Sequence, residues 1–197
     1  MKPFRTQIKF YLENPDSVDV AHFGAVFQRW IQQTLLKELI IDVADYRHVF
    51  EGPGVILIGH ASDYAIESRE GRLGLTYTRK RQLEPNLQTQ LRTSFELALA
   101  AAEMLEAEES FSPRLKFRTD EIEIRFPDRL NLPNKPETFD LVKDDLAAVL
   151  ADVYGGVLDF APSAPDPRHL FSVAVHHESA AGVSDLLRQL QGSAQPG

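Results

Sequence analysis

Between Ile40 and Arg81 the chain runs through apolar, β-branched stretches broken by glycine, and this pattern restricts the fold more than any other feature. Ile40, Ile41 and Val43 open one run, Gly52-Pro53-Gly54 interrupts the chain, and Val55-Ile56-Leu57-Ile58 begins a second run. The expectation is strand, loop, strand. The second strand is expected to continue to Glu67 and to return through Ser68-Arg69-Glu70-Gly71 into Arg72 to Arg81, because Gly71 can take the positive φ that a short hairpin loop needs. Such a loop sets Glu67 opposite Arg72, Tyr64 opposite Leu75, Ser62 opposite Tyr77 and His60 opposite Arg79. Alternation then gives one face made of Ile56, Ile58, His60, Ser62, Tyr64 and Ile66 against Leu73, Leu75 and Tyr77. The other face carries Gly59, Ala61, Asp63 and Ala65 against Gly74, Thr76 and Thr78. Those side chains are small, which leaves room for a helix, a second subunit or a ligand.

A sheet with one apolar face must be covered, and the rest of the chain supplies helices to do it. Ile8, Phe10 and Leu12 alternate with Lys9 and Tyr11 as a first strand that stops at Asn14-Pro15. A helix from Asp19, its N-cap, to Leu36 follows, with Val20, Phe23, Val26, Phe27, Trp30, Ile31 and Leu35 as its apolar stripe. Trp30 at this spacing reads as core. Pro85 and Asn86 start the longest helix, on Leu87, Leu91, Phe95, Ala98, Ala102 and Leu105. Leu115, Phe117, Ile122, Ile124 and Phe126 alternate with charges as one long strand or a hairpin turning near Thr119-Asp120, and Arg114, Lys116 and Arg118 form its solvated side. A third helix begins near Asn134 to Thr138, with Glu137 placed for a capping box, and closes at Gly155-Gly156. Short strands follow at Val157 to Phe160 and Leu170 to Val175, then an amphipathic helix through Leu190.

The expected fold class is therefore α+β, a largely antiparallel sheet covered by helices in a single domain over residues 1–190, with 191–197 as a disordered tail. The order of elements also repeats. Strand Ile8 to Leu12, helix Asp19 to Leu36 and strands Ile40 to Tyr46 and Val55 to His60 match strand Ile122 to Phe126, helix Glu137 to Tyr154 and strands Val157 to Phe160 and Leu170 to Val175. This suggests two β-α-β-β units, sharing one sheet or packed face to face, joined by the Pro85 to Glu109 helix.

Composition removes several functions. Cysteine is absent, so there is no disulfide framework, thiolate zinc site or thiol nucleophile. A net charge of −8 argues against a nucleic-acid partner. The chain turns polar too early for a signal peptide and has no apolar run near the roughly 20 residues that span a bilayer, so the expected setting is cytoplasmic with no membrane partner. Gly54 to Ala61 has the glycine spacing of a phosphate loop but lacks its Lys and Ser or Thr, and neither Gly-x-Ser-x-Gly nor Gly-x-Gly-x-x-Gly occurs.

Asp42, Asp45, Tyr46, His48, His60, Asp63 and Tyr64 are the one constellation of chemistry-bearing residue types. Carboxylates and imidazoles can hold a divalent ion, whose bound water could attack a substrate, so a small-molecule or metal-dependent hydrolase on Asp42, Asp45, His48 and His60 is one reading. No HExxH or similar pair supports it, and strand-end acids and histidines commonly cap turns or pair with arginines. The adjacent His176 and His177 point opposite ways on a strand. The favoured expectation is a non-enzymatic binding or assembly module with no cofactor, whose partners are a second copy of the chain or another protein. Homodimerisation would use the small-residue face or an exposed sheet edge.

The runs Phe27-Gln28-Arg29-Trp30-Ile31-Gln32, Ile41-Asp42-Val43-Ala44-Asp45-Tyr46, Gly52-Pro53-Gly54 and Leu57-Ile58-Gly59-His60 resemble an uncharacterised bacterial protein family with no assigned activity, over residues 8–80. That resemblance implies a bacterial source and no activity, cofactor or catalytic residue.

Overall fold

The structure is a computed structural model that describes residues 5–81, 83–156, 158–163, 166–178 and 181–193. Its elements are β1 (Thr6–Leu12), α1 (His22–Gln32), β2 (Ile40–Tyr46), β3 (Gly54–Gly59), β4 (Ser62–Glu67), β5 (Gly74–Arg79), α2 (Leu87–Ala107), β6 (Phe117–Phe126), α3 (Pro136–Tyr154), β7 (Asp159–Pro162), β8 (Phe171–His176) and α4 (Val183–Gly192). The strands form one sheet in the order β2-β3-β4-β5-β1-β6-β8-β7, with every neighbouring pair antiparallel. The fold is α+β, as the patterning predicts. Outward from the central β1–β6 pair, β3 then β2 on one side and β8 then β7 on the other follow the same order. The two β-α-β-β units thus lie in one sheet, and the β4–β5 hairpin is inserted into the first.

Alternation decides which face meets the helices. Ile8 and Phe10, Tyr64 and Ile66, Leu75 and Tyr77, Ile122, Ile124 and Phe126, and Val173 and Val175 are all buried on one side. Against them α2 sets Leu91, Phe95, Ala98 and Ala102, while α1, with Phe23, Val26, Phe27 and Trp30 buried, lies over β2 and β3. Helices α3 and α4 pack on α2. Each fully buried Leu, Ile, Val or Phe contributes roughly 1.5–3 kcal/mol. Asn86 caps α2 by accepting from the Thr89 N–H at 2.8 Å. No helix among the described residues is long and apolar enough to cross a membrane.

The central ribbon corrects the sequence reading in two places. The expected single strand from Val55 to Glu67 is a hairpin: β3 ends at Gly59, His60 and Ala61 turn the chain, and Leu57 pairs with Tyr64 and Ile58 with Asp63. Val55 and Leu57 therefore face the helices, and Ile56 and Ile58 face the other way. Four consecutive apolar residues carry no period of two, so nothing in that run fixes which pair is inward. The β4–β5 loop is also wider than expected, with Glu67 opposite Gly74 and Tyr64 opposite Tyr77. Glu67 accepts from the Arg69 N–H at 2.6 Å, and Glu70 (φ 59°) takes a left-handed conformation beside Gly71 (φ 71°), which consumes two more residues in the turn. A shift of two preserves faces, so Asp63, Ala65, Thr76 and Thr78 do share the face of small groups.

Other boundaries move for local reasons. Helix α1 starts at His22 and ends at Gln32; Asp19 caps a turn ahead of it by accepting from the Ala21 N–H at 2.9 Å, and Thr34 (φ 51°) breaks it, leaving Leu35 exposed. Helix α3 opens on Pro136 without a side-chain cap, so Glu137 forms no capping box. Strand β6 is one continuous strand, and α4 runs two residues into the expected tail. Positions 194–197 of that tail, and Val157, lie outside the described residues. At Gly54 (φ 64°) a β-carbon would stand 1.9 Å from the Ile66 carbonyl oxygen, so only glycine lets the β2–β3 loop close against β4.

Candidate functional site

The seven residues singled out by type are spread over both faces of the sheet and its edge. Tyr64 is fully buried under the helices, its hydroxyl donating to Glu38 at 2.8 Å. Asp42 and Asp63 do share the opposite face in one row, each across from Ile58, but they stand two strands apart, roughly 10 Å. Asp63 is paired with Lys80 at 2.8 Å. Asp45 is exposed and taken by Arg47, whose hydrogen bonds hold its carboxyl down at about 2. Tyr46 and His48 are exposed neighbours with ring centroids 6.4 Å apart, and His60 is exposed in the β3–β4 turn. Among the described residues no group of three or more His, Cys, Asp or Glu side chains could hold a metal ion.

The face without helices carries a different constellation. Lys9 in the middle of β1 is across from Thr76 on β5 and Glu123 on β6. Its Nζ lies 2.8 Å from Glu67 Oε1, and the pair is closed off from solvent at 1% and 6% side-chain exposure. Arg125 spans the two acids, 2.6 Å from Glu123 and 3.5 Å from Glu67. Thr76 donates to Glu67 at 2.9 Å and Tyr11 to Glu123 at 3.1 Å. Two cations and two anions, from β1, β4 and β6, thus neutralise one another. Arg72 extends the network by stacking 3.5 Å from the Tyr11 ring centre and forking onto Glu121 at 2.6 and 2.7 Å. Burial pushes the Lys9 ammonium below the ordinary lysine range, an effect that Glu67 offsets only in part. Burial, then the charge of Glu123, pushes the Tyr11 hydroxyl up.

Two cavities open on this face, lined by strand and loop residues alone. One of about 220 Å³ lies over Ala65, Thr76 and Thr78, between Gln7, Ile56 and Lys80. The other, of about 430 Å³, lies between Glu123, Arg125 and Ser172 and the loops bearing Arg129, Arg168 and His169. Arg69 and Arg125 line both. The volumes suit a metabolite-sized ligand. Strained backbone collects here: Glu51 (φ 50°) and Glu70 (φ 59°), two of the three described non-glycine residues at positive φ, both line the larger cavity. Such strain persists only where the surroundings enforce it, commonly at binding sites.

Two other polar clusters lie away from this face. On the helix side Glu38 accepts from Ser62 (2.5 Å), Tyr64 (2.8 Å) and Arg79 (2.8 Å), and Arg79 also meets Glu84 at 2.5 Å. This cluster is buried against the core and ties the α1–β2 loop to β4 and β5. A wider depression of about 800 Å³ beside Glu13 and Lys116 to Asp120 has its cations engaged, Lys116 by Glu106 and Arg118 by Asp120 and Glu121.

Lys9, Glu67, Glu123 and Arg125 were not singled out in the sequence because charges alternating with apolar residues read as a solvated strand face. The available signal was positional: β1 and β6 stand at the centre of the sheet, where even the outward row is crowded. Comparison with protein-family models, with curated proteins and with solved structures finds nothing that matches this chain, so its function is argued from its own geometry.

Proposed function

We propose that this protein is a non-enzymatic binding module that holds a small molecule against the helix-free face of its sheet. The observation that carries the reading is the pair of cavities meeting at Arg69 above a floor that is polar, buried and already charge-neutral. A floor of this kind is preorganised: Lys9, Glu67, Glu123 and Arg125 hold one another in place, so a ligand meets fixed dipoles instead of mobile side chains. The small side chains of Ala65, Thr76 and Thr78 create the space above it.

Chemical-shift mapping with a mixed set of acidic, neutral and basic metabolites tests the reading. Amide shifts are expected at Gln7, Ala65, Thr76 and Thr78, and Ala65→Leu, which fills the smaller cavity, should weaken binding at least tenfold while leaving the spectrum of the helices unchanged. Shifts confined to the helical layer, or none with any compound, would end it.

A second reading, assembly of two copies, is favoured by the edge strand β2. Among the described residues its outer edge has no partner strand, and Leu39, just ahead of it, and Ile41, within it, are 70% and 61% exposed. Antiparallel pairing of β2 with itself obeys two-fold symmetry. Light scattering is expected to give a dimer mass that Ile41→Lys converts to monomer; a monomer at every concentration refutes it.

A further inference from the structure

We infer that the ligand of this face carries an anionic group, a carboxylate or a phosphate, gripped by Arg69 beside Arg125 where the two cavities meet. The inference rests on the proposed binding reading and names the chemistry of its ligand. Charge accounting across the face supports it. Lys9 and Arg125 are matched by Glu67 and Glu123, Lys80 by Asp63, and Arg168 by Asp166. Arg69 is not matched in this way. Its backbone N–H is bonded to Glu67, but among the described residues its guanidinium has no hydrogen-bond or ion-pair acceptor, although the residue is half-buried and lines both cavities. Across the larger cavity Arg129 donates to a neutral acceptor, the Arg168 carbonyl, at 2.6 Å.

A half-buried guanidinium without an anion forgoes its strongest interaction, a forked charge-assisted pair with a carboxylate or phosphate. Glu51 and Glu70 also line the larger cavity, but both stand exposed at its rim, where water screens them, while Arg69 and Arg125 flank the passage inside. An acid seated at Arg69 would supply that anion, and the cavities admit a metabolite and not a polymer.

The test titrates the full chain with inorganic phosphate, with succinate and with neutral succinamide, at 20 mM and 300 mM salt, reading amide shifts at Gln7, Ala65 and Thr78. One of the two anions is expected to saturate these shifts, which identifies the acid, and Arg69→Gln should weaken it at least tenfold while Arg188→Gln, on the far surface of α4, leaves it unchanged. Equal binding by Arg69→Gln overturns the inference, as does anion binding abolished equally by both variants or by salt alone. If succinamide or another neutral compound binds this face and neither anion does, the anionic assignment fails and the binding module stands. If no compound of any class binds there, both fall.

Discussion

Glu67→Ala should lower the free energy of unfolding by about 3–5 kcal/mol, the scale set by removing one partner from a buried ion pair. The carboxylate is ion-paired with the Lys9 ammonium and with Arg125 and accepts from the Thr76 hydroxyl and the Arg69 N–H, so alanine leaves a lysine almost closed to water without its anion. The paired replacement Lys9→Met with Glu67→Leu removes both charges and should recover most of the loss, since apolar residues of similar volume serve a buried pair's place as well. Urea unfolding of the two singles and the double measures the coupling, and a double as unstable as the sum of the singles would show that the two charges act independently.

The same residue gives the pH dependence a sign. Burial alone would raise the Glu67 carboxyl, and the charge and hydrogen bond of Lys9, the Arg69 N–H and Arg125 together outweigh it and hold it below the ordinary range. A carboxyl lowered in this way lends stability that is complete above its unfolded value, about 4.3, and is lost as pH falls through the folded one. Lys9 acts in the opposite sense: its lowered pKa is a cost throughout neutral pH, relieved only as pH rises from the folded value toward the unfolded one, about 10.4. Acid destabilisation below about pH 4 should therefore flatten in Glu67→Gln.

The parts of this molecule that could be read in advance are those specified by neighbours in sequence. Strand β2 lies where Ile40, Ile41, Val43 and Tyr46 put it, α2 starts at the Asn86 cap, and Gly155 closes α3 at φ 73°. The ribbon around Gly59 misled because its apolar residues are consecutive, and only pairing with Tyr64 and Ile66 tells Leu57 from Ile58. The binding face was half legible. Asp63, Ala65, Thr76 and Thr78 alternate visibly, but the charged floor joins Tyr11 to Glu123 across 112 positions, and Lys9 to Glu67 and Arg125. Whether Lys9 points into water or into a carboxylate depends on which strands flank β1, and the flanking strands β5 and β6 are set by long-range topology. The acids and histidines of 42–64 drew attention because they are close in sequence, while strand alternation and the turn at His60 send them to different surfaces.

Arg79→Met is expected to cost about 3–5 kcal/mol at pH 7. The arginine is buried on the helix side of β5 between two carboxylates, donating to Glu38 at 2.8 Å and to Glu84 at 2.5 Å. Methionine preserves much of the side-chain volume, so the loss is electrostatic and not a cavity. Without the guanidinium, Glu38 keeps the hydroxyls of Ser62 and Tyr64, but two buried carboxylates face each other with no cation between them. Removing the acids as well, with Glu38→Gln and Glu84→Gln, should return most of the loss, because the uncompensated charges are then gone. Urea unfolding of Arg79→Met and of the triple variant measures the difference. A triple variant no more stable than Arg79→Met would mean that Arg79 contributes by packing its methylenes and not by compensating Glu38 and Glu84.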